Sequence, residues 1–139
     1  MSDFVLDCSV AMAWCFDDLS DPSSEAALEA LGAGQTALAP AHWPLETAGA
    51  LLAAERRGRL KQADSARFLD LVRGLPIEVE SAPLIPGLTA VLGLAKEHDL
   101  GVHDASYIEL AMRKGVPLVT LDAKLRGVAA GVGVQILGA

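Results

Sequence analysis

Aromatic residues and cysteines are scarce in this 139-residue chain. Aromatic residues make up only 4% of the sequence. The core must therefore be built from Ala, Leu and Val, which suits helices covering a sheet better than an aromatic-rich β-sandwich. The two cysteines are too few for a secreted disulfide framework and lack the spacing of a metal-binding knuckle. We therefore expect Cys8 and Cys15 to be reduced, packed thiols.

The chain also lacks the excess of positive charge with which many proteins attract nucleic acids. Eleven Lys and Arg residues stand against eighteen Asp and Glu residues, giving a net charge of −7. This sign repels a phosphate backbone, so any role with RNA depends on bound cations or on local patches. We interpret the basic segment Arg56, Arg57, Arg59 and Lys61 as a solvated helix end, with contact to RNA phosphates as the alternative.

Long apolar runs are absent from the sequence. No run approaches the roughly 18 residues of a membrane span, and MSDFVLDCSV lacks the basic and apolar regions of a secretory signal. We therefore expect a cytoplasmic location. Because the length is about that of one domain and neither half has enough strands to fold alone, the sequence predicts a single domain over residues 1–139.

What the chain has is an alternation of short apolar runs and helical patterns. Strands are predicted at residues 4–6, 36–39, 77–79, 117–121 and 134–137. Helices are predicted at residues 9–16, 22–31, 43–57, 62–72, 102–113 and 123–129, with another beginning at Pro86. This alternation predicts βαβ units and therefore an α/β fold, in which helices cover a central parallel sheet.

Two aspartates come directly after predicted strands. Asp7 follows the first strand and Asp122 follows the fourth. In open parallel sheets, ligands bind beyond the carboxyl ends of the strands, especially where the strand order reverses. We therefore expect both carboxylates to point into such a crevice. Each aspartate taken alone is also explained as a turn or helix-capping residue.

Two further acids lie in the first turn of helices that are otherwise rich in apolar residues. Apolar residues nearly surround the helix predicted at residues 43–57, so we expect burial on most of its sides. Glu46 near its start then needs an explanation, because a buried carboxylate is costly unless it is paired or binds a metal. Favourable interaction with the helix dipole would suffice for Asp104.

Four acids at the ends of elements in one α/β sheet can converge on a single site. Convergent carboxylates repel one another unless a cation is present. Oxygen ligands of this kind suit Mg²⁺ or Mn²⁺ rather than zinc. One or two such ions would bind phosphate oxygens and lower the pKa of a bound water. The set therefore indicates phosphodiester hydrolysis at Asp7, Glu46, Asp104 and Asp122.

Four segments around these acids resemble the successive motifs of PIN domains, in the same order. They are VLDCSVAMAW, the WPLE that ends at Glu46, the HDASYIELA that begins at His103 and LVTLDAKL. They most resemble the ribonuclease toxins of VapBC toxin–antitoxin pairs. The resemblance implies a three-layer α/β/α sandwich around a mostly parallel sheet of four to five strands, and RNA cleavage dependent on Mg²⁺ or Mn²⁺. It also implies a homodimer, and a cognate antitoxin that occupies the cleft and neutralises the enzyme.

The resemblance implies a role for each acid. Asp7, Glu46 and Asp104 match metal ligands, and Asp122 matches a ligand or an acid just behind the ligands. Two departures stand beside the acids. His103 occupies a position where family members often have a tyrosine, and Lys124 one where some members have a further acid. The second departure predicts a four-acid rather than a five-acid site.

Two hydroxyl residues also match the family pattern. Ser9 is expected to hydrogen-bond a metal-bound water or Asp122 and to belong to the catalytic set. Thr120, just before the last strand's aspartate, is expected to orient an acid.

Several other residues have structural rather than functional interpretations. His98, Asp99, His103 and Asp104 resemble a zinc cluster, but Gly101 breaks the helix between them and argues against it. His42 is interpreted as a loop or capping residue. The aromatic residues Trp14, Phe16 and Trp43 are interpreted as protein-interface anchors rather than base-stacking residues. The alternative to an enzyme is a catalytically silent PIN-like module that binds RNA or protein.

Overall fold

The computed structural model describes residues 3–16, 21–81 and 85–138, in which four strands form one sheet. They are β1 (Phe4–Leu6), β2 (Ala37–Ala39), β3 (Ile77–Val79) and β4 (Leu118–Val119). The strand order is β3-β2-β1-β4, and every pairing is parallel. The predicted parallel sheet is therefore confirmed. The order runs from β1 through β2 to β3 on one side, while β4 lies on the other, so it reverses between β1 and β4.

Helices connect the parallel strands and cover the sheet, as crossover connections require. The described residues form α1 (Cys8–Ala13), α2 (Pro22–Gly32), α3 (Trp43–Arg56), α4 (Gln62–Arg73), α5 (Ile85–His98), α6 (Val102–Lys114) and α7 (Ala123–Gly131). Phe4, Val5 and Leu6 of β1 are each at most 1% exposed, as expected of a central strand covered on both faces. This arrangement confirms the α/β/α layers. Within the described ranges, none of the helices combines the length and hydropathy that a membrane span requires.

Local signals in the sequence explain where two helices begin and end. The Asp21 side chain accepts a hydrogen bond of 2.8 Å from the backbone N–H of Ser23, and Ser24 completes a capping box at the start of α2. At the other end of the chain, α6 ends at Gly115, whose φ of 66° is left-handed and favours glycine. Gly115 turns the chain back into the sheet, and β4 begins three residues later.

Three predicted elements are shorter than expected. The strand predicted at residues 117–121 forms only at Leu118–Val119. The first helix ends at Ala13 rather than at residue 16, because Trp14 and Cys15 continue it only as a tightened turn with bonds to the third residue back. The strand predicted at residues 134–137 is wrong as a strand, since it contributes only one parallel bridge, between Ile136 and Leu118. Left-handed glycines at positions 133 and 138 bracket this segment and leave little extended chain to pair.

The helix α3 is buried on one face, so the expectation of burial on most sides is wrong. Its buried residues, Trp43, Thr47, Leu51 and Ala54, recur every three or four positions. On the opposite side, the side chain of Leu45 is 81% exposed. The apolar residues of α3 therefore do not all belong to the core.

The aromatic residues belong to the core more than to an interface. Trp43 is only 4% exposed, so its interpretation as an interface anchor is wrong. Trp14 and Phe16 are half-buried and pack against the same core. The guanidinium carbon of Arg59 lies 4.5 Å from the centre of the Phe16 ring, so part of the basic segment covers an aromatic side chain.

Both cysteines are free thiols, as expected. Cys8 is buried and Cys15 is half-buried. Burial raises the pKa of the Cys8 thiol to about 12 and that of the Cys15 thiol to about 11. The thiols are therefore protonated at neutral pH and behave as packing groups.

Candidate active site

Asp7 and Asp122 lie beyond the carboxyl ends of β1 and β4, on either side of the reversal in strand order. The backbone N–H of Asp7 donates to the carbonyl of Val119 over 3.1 Å, which extends the pairing of the two strands as far as the acid. This is the crevice in which parallel sheets bind ligands. The structure therefore brings these two acids together where the sequence predicts.

Asp7 is the buried acid of the site, with 7% of its surface exposed. Its Oδ2 accepts two hydrogen bonds, one of 2.5 Å from the hydroxyl of Thr120 and one of 2.8 Å from that of Ser9. Burial raises the pKa of Asp7, the bonds from Thr120 and Ser9 lower it, and the charge of Asp122 raises it further. Neither hydroxyl bonds Oδ1, so one oxygen of this carboxylate is turned away from both.

The two hydroxyl residues fix Asp7 rather than Asp122. The Ser9 hydroxyl donates to Asp7 and accepts a bond of 3.1 Å from the backbone N–H of Leu121, so its expected bond to Asp122 is absent. Thr120 is fully buried and accepts a bond of 3.0 Å from the backbone N–H of Asp122. Thr120 therefore links the backbone of one acid to the side chain of another, and the expected orienting contact is present.

Asp122 caps a helix as well as facing the other acids. Its Oδ1 accepts a hydrogen bond of 3.0 Å from the backbone N–H of Leu125, at the start of α7. This bond confirms the interpretation of Asp122 as a helix-capping residue. Its Oδ2 has no part in the cap, and its charge raises the pKa of both Asp7 and Asp104.

Glu46 reaches the site from the first turn of α3 and is held by Tyr107, to which the sequence analysis assigned no role. The hydroxyl of Tyr107 donates a hydrogen bond to Oε1 of Glu46 and accepts one of 3.2 Å from the backbone N–H of Cys8. Burial raises the pKa of Glu46, the bond from Tyr107 lowers it, and the charge of Asp7 raises it again. Tyr107 is fully buried and joins α1, α3 and α6 around this carboxylate. The sequence could have indicated a role for Tyr107, because this residue lies three positions after Asp104 within the DASY motif.

Asp104 approaches from the first turn of α6 and is half-buried. Burial raises its pKa most, followed by the charges of Asp7 and Asp122, whereas His103 and Lys124 lower it. No hydrogen bond reaches its carboxylate from the part of the chain that the structure describes. The ammonium of Lys124 lies 3.8 Å from the Asp99 carboxylate, so the residue that replaces a fifth acid is turned partly away.

Two histidines border the acids on the side of Glu46. The rings of His42 and His103 stack with their centres 4.4 Å apart and their planes 20° apart. His42 is the N-cap residue of α3, which confirms its interpretation as a loop or capping residue, although its side chain makes no cap hydrogen bond. Burial lowers the pKa of His42, and the neighbouring His103 lowers it further. His103 therefore groups with His42 and Glu46 rather than with the zinc-like set suggested by the sequence.

The donors gathered around Asp7 fit a hard divalent cation. Asp7, Glu46 and Asp104 have raised pKa values, and in each case a neighbouring carboxylate adds to the effect of burial. A cation would relieve this repulsion. Carboxylate oxygens are the ligands that Mg²⁺ and Mn²⁺ prefer. The side chains at this end of the sheet therefore form a possible acidic metal site.

Fold, site and sequence agree on a family. A family model of the PIN domain matches residues 4–131. The chain belongs to the PIN domain family. It is similar to Ribonuclease VapC12 of Mycobacterium tuberculosis, with 34% identity over 121 residues that cover 87% of this chain and 88% of that protein. The same similarity holds in two strains of that organism.

Solved structures share the fold. PAE2754 from Pyrobaculum aerophilum superposes with a TM-score of 0.70 at 25% identity, covering 97% of this chain and 90% of that one. VapBC2 from Rickettsia felis, bound to a DNA fragment from their promoter, gives a TM-score of 0.64 at 15% identity, with 96% of each chain covered. FitAcB from Neisseria gonorrhoeae gives 0.60 at 14% identity, again with 96% of each covered.

Proposed function

We propose that this chain is a metal-dependent endoribonuclease toxin of a type II toxin–antitoxin system, which hydrolyses RNA phosphodiester bonds. The observation that carries the proposal is the gathering of Asp7, Glu46, Asp104 and Asp122 where the strand order reverses. Similarity to Ribonuclease VapC12 over 121 residues supports the choice of RNA as the substrate. We propose these four acids as the ligands of one or two Mg²⁺ or Mn²⁺ ions.

The hydrogen bonds within the site support this assignment. In three of the acids the protein engages one carboxylate oxygen: Oδ2 of Asp7, Oε1 of Glu46 and Oδ1 of Asp122. The second oxygen of Glu46 and that of Asp122 take no part in those bonds, while the backbone of Ser9 gives the Asp7 carboxylate a further hydrogen bond. Ser9 and Thr120 hold the Asp7 carboxylate in one orientation, which reduces the cost of arranging the ligands.

A divalent cation, when bound, neutralises the scissile phosphate and lowers the pKa of an attacking water. The four acids would bind the ion, and Ser9 and Thr120 would orient the Asp7 carboxylate. Without a cation, the charges of Asp7, Asp104 and Asp122 would repel the phosphate. The net charge of −7 adds to this repulsion, so RNA binding would require the metal. The proposal therefore accounts for RNA chemistry on an acidic protein.

The test is cleavage of a pool of structured RNAs by the purified chain with Mg²⁺, with Mn²⁺ and with EDTA. We expect discrete RNA fragments with either metal and none with EDTA. Asp70→Asn, which changes an exposed acid on α4, serves as the control and should cleave like the wild type. Binding of RNA without cleavage under every metal condition would overturn the proposal and favour the silent module.

We also propose that the protein partner of this chain is a cognate antitoxin. The chain itself would act in the cytoplasm as a single-domain homodimer. The structural similarity to VapBC2 supports this, as does the exposed apolar side of α3, where Leu45 and Leu52 are 81% and 47% exposed. Producing the chain alone should arrest growth, and co-producing the protein of an adjacent small reading frame should relieve the arrest. Growth arrest that this second protein does not relieve would contradict the partnership.

A further inference from the structure

We propose that His42, Glu46 and His103 form a second metal site, selective for Zn²⁺ and similar borderline ions, which shares Glu46 with the carboxylate site. The three side chains offer one ligand atom each, and these atoms all lie within 4.8 Å of one another. They come from two elements, the start of α3 and the first turn of α6. The proposal goes beyond the nuclease function and does not depend on it.

The geometry is close to what zinc needs. In a tetrahedral site with metal–ligand distances of about 2.1 Å, ligand atoms are about 3.4 Å apart. Binding would require the stacked rings of His42 and His103 to turn relative to each other, because an imidazole binds a metal through a nitrogen in the plane of its ring. Because His103 is exposed, its ring has room for this movement. Three protein ligands leave the fourth position to water.

An unsatisfied nitrogen supports the site independently. Nε2 of His42 is buried, and no atom of residues 3–16, 21–81 or 85–138 hydrogen-bonds it. It lies 3.9 Å from Oε2 of Glu46. A buried polar atom without a partner is costly, and a metal ion would satisfy this one. Oε2 is also the oxygen of Glu46 that Tyr107 does not bond. The unsatisfied nitrogen therefore lies 3.9 Å from a carboxylate oxygen that could share an ion with it.

Donor chemistry separates this site from its neighbour. Two imidazoles and one carboxylate suit Zn²⁺, Co²⁺ and Ni²⁺, whereas Mg²⁺ prefers six oxygen ligands. The carboxylate site offers oxygens only. A zinc ion bound by the histidines would draw Glu46 away from the carboxylate site, so the two metals would compete for one residue. This consequence for cleavage rests on the proposed function, but the binding itself does not.

The test is a titration of the full chain, freed of any histidine tag, with Co²⁺, whose visible absorption reports low-coordinate nitrogen ligation. With a large excess of Mg²⁺ present to fill the carboxylate site, we expect one saturable Co²⁺ per chain, which Zn²⁺ displaces. His42→Ala and His103→Ala should each weaken binding at least tenfold. The third histidine provides a matched control, and His98→Ala should bind Co²⁺ like the wild type.

Two further variants make the result decisive. Asp122→Asn alters the carboxylate site alone, so it should keep the Co²⁺ spectrum. His103→Gln keeps a polar side chain at an exposed position, so its loss of binding would not be a folding defect. Co²⁺ binding that survives both histidine variants, or that is lost in Asp122→Asn as in them, would overturn the site.

Cleavage adds a second readout. Zn²⁺ added to a Mg²⁺ reaction should inhibit the wild type more strongly than His103→Ala, each compared with its own zinc-free rate. Equal inhibition of both would contradict competition through this site. A wild type that binds Co²⁺ through His42 and His103 but cleaves no RNA supports the histidine site and counts against the proposed nuclease.

Discussion

The hydroxyl of Thr120 donates a hydrogen bond of 2.5 Å to Oδ2 of Asp7, across 113 residues of sequence. Both side chains are buried, and the bond ties the end of β4 to the end of β1. It holds a carboxylate whose pKa burial has raised, in the orientation that leaves Oδ1 for another partner. The candidate site thus depends on a residue that would not itself touch a metal.

Removing this hydroxyl should weaken both folding and metal binding. We expect Thr120→Val to lower the free energy of unfolding by about 1.5 to 3 kcal/mol, because a hydrogen bond to a charged group is lost. Affinity for Mn²⁺ should fall by about tenfold, as for other residues that orient ligands. Urea denaturation and calorimetric titration measure the two effects. Thr89→Val removes an exposed hydroxyl on α5 and should change neither. Thr120→Ser should restore the Mn²⁺ affinity.

Tyr107 makes a second such contact, to Glu46 and to the backbone of Cys8. Tyr107→Phe leaves the Cys8 N–H buried without that acceptor, so we expect a loss of about 1 to 3 kcal/mol in the free energy of unfolding. Mn²⁺ affinity should fall by about 10- to 100-fold. Hydrogen exchange of the Cys8 amide checks the structural cause and should accelerate. An unchanged exchange rate would show that the tyrosine does not hold this amide.

Asp122 serves as helix cap and proposed ligand, and two substitutions separate these roles. Asparagine also caps helices, so Asp122→Asn should keep the free energy of unfolding near that of the wild type. Asp122→Ala should lower it by about 1 kcal/mol. Both variants should bind Mn²⁺ less tightly, because both lose the charge. If Asp122→Asn retains full Mn²⁺ affinity, Asp122 is a cap and nothing more.

The ion pair of Glu80 and Arg113 gives a pH-dependent prediction far from the acids. Two hydrogen bonds of 3.0 and 2.7 Å from Arg113 hold the pKa of Glu80 below its ordinary value of 4.5. A lowered pKa in the folded state means that Glu80 stabilises the fold above that value and loses this effect as the pH falls through its folded pKa. Glu80→Gln should therefore cost about 0.5 kcal/mol at pH about 7 and little in strong acid.

Thermal unfolding of wild type and Glu80→Gln, compared over this pH range, measures the difference directly. Glu78→Gln, at an exposed position of β3 just before Glu80, is the matched control and should follow the wild type. A gap between wild type and Glu80→Gln that stays constant with pH would contradict the assignment.

The sequence predicted the fold and the proximity of the four acids, but not the contacts between distant helices. Asp7 and Asp122 were predictable because a strand end positions a side chain by local pattern alone. Asp104 was predictable from the motif around it, since a first-turn acid has an ordinary explanation. The order of the strands and the contact between α3 and α6 belong to the tertiary structure, and the local periodicity of the sequence does not determine them.

The residues whose roles the sequence analysis did not predict lie at the contact between α3 and α6. Tyr107 stood in a quoted motif without a role, because its partners, Glu46 and Cys8, are 61 and 99 residues away. The pairing of His42 with Glu46 had a usable signal, since residues four apart share one side of a helix. Only the fold, however, places His103 against that pair.

Metal-dependent cleavage of RNA by wild type and Asp7→Asn tests the central claim most directly. Asparagine keeps the shape of the side chain and removes its charge, so the fold should remain and the free energy of unfolding should equal or slightly exceed that of the wild type. We predict cleavage by the wild type with Mg²⁺ or Mn²⁺, and none above background by a folded Asp7→Asn. Equal cleavage by the two proteins would contradict the assignment of this site.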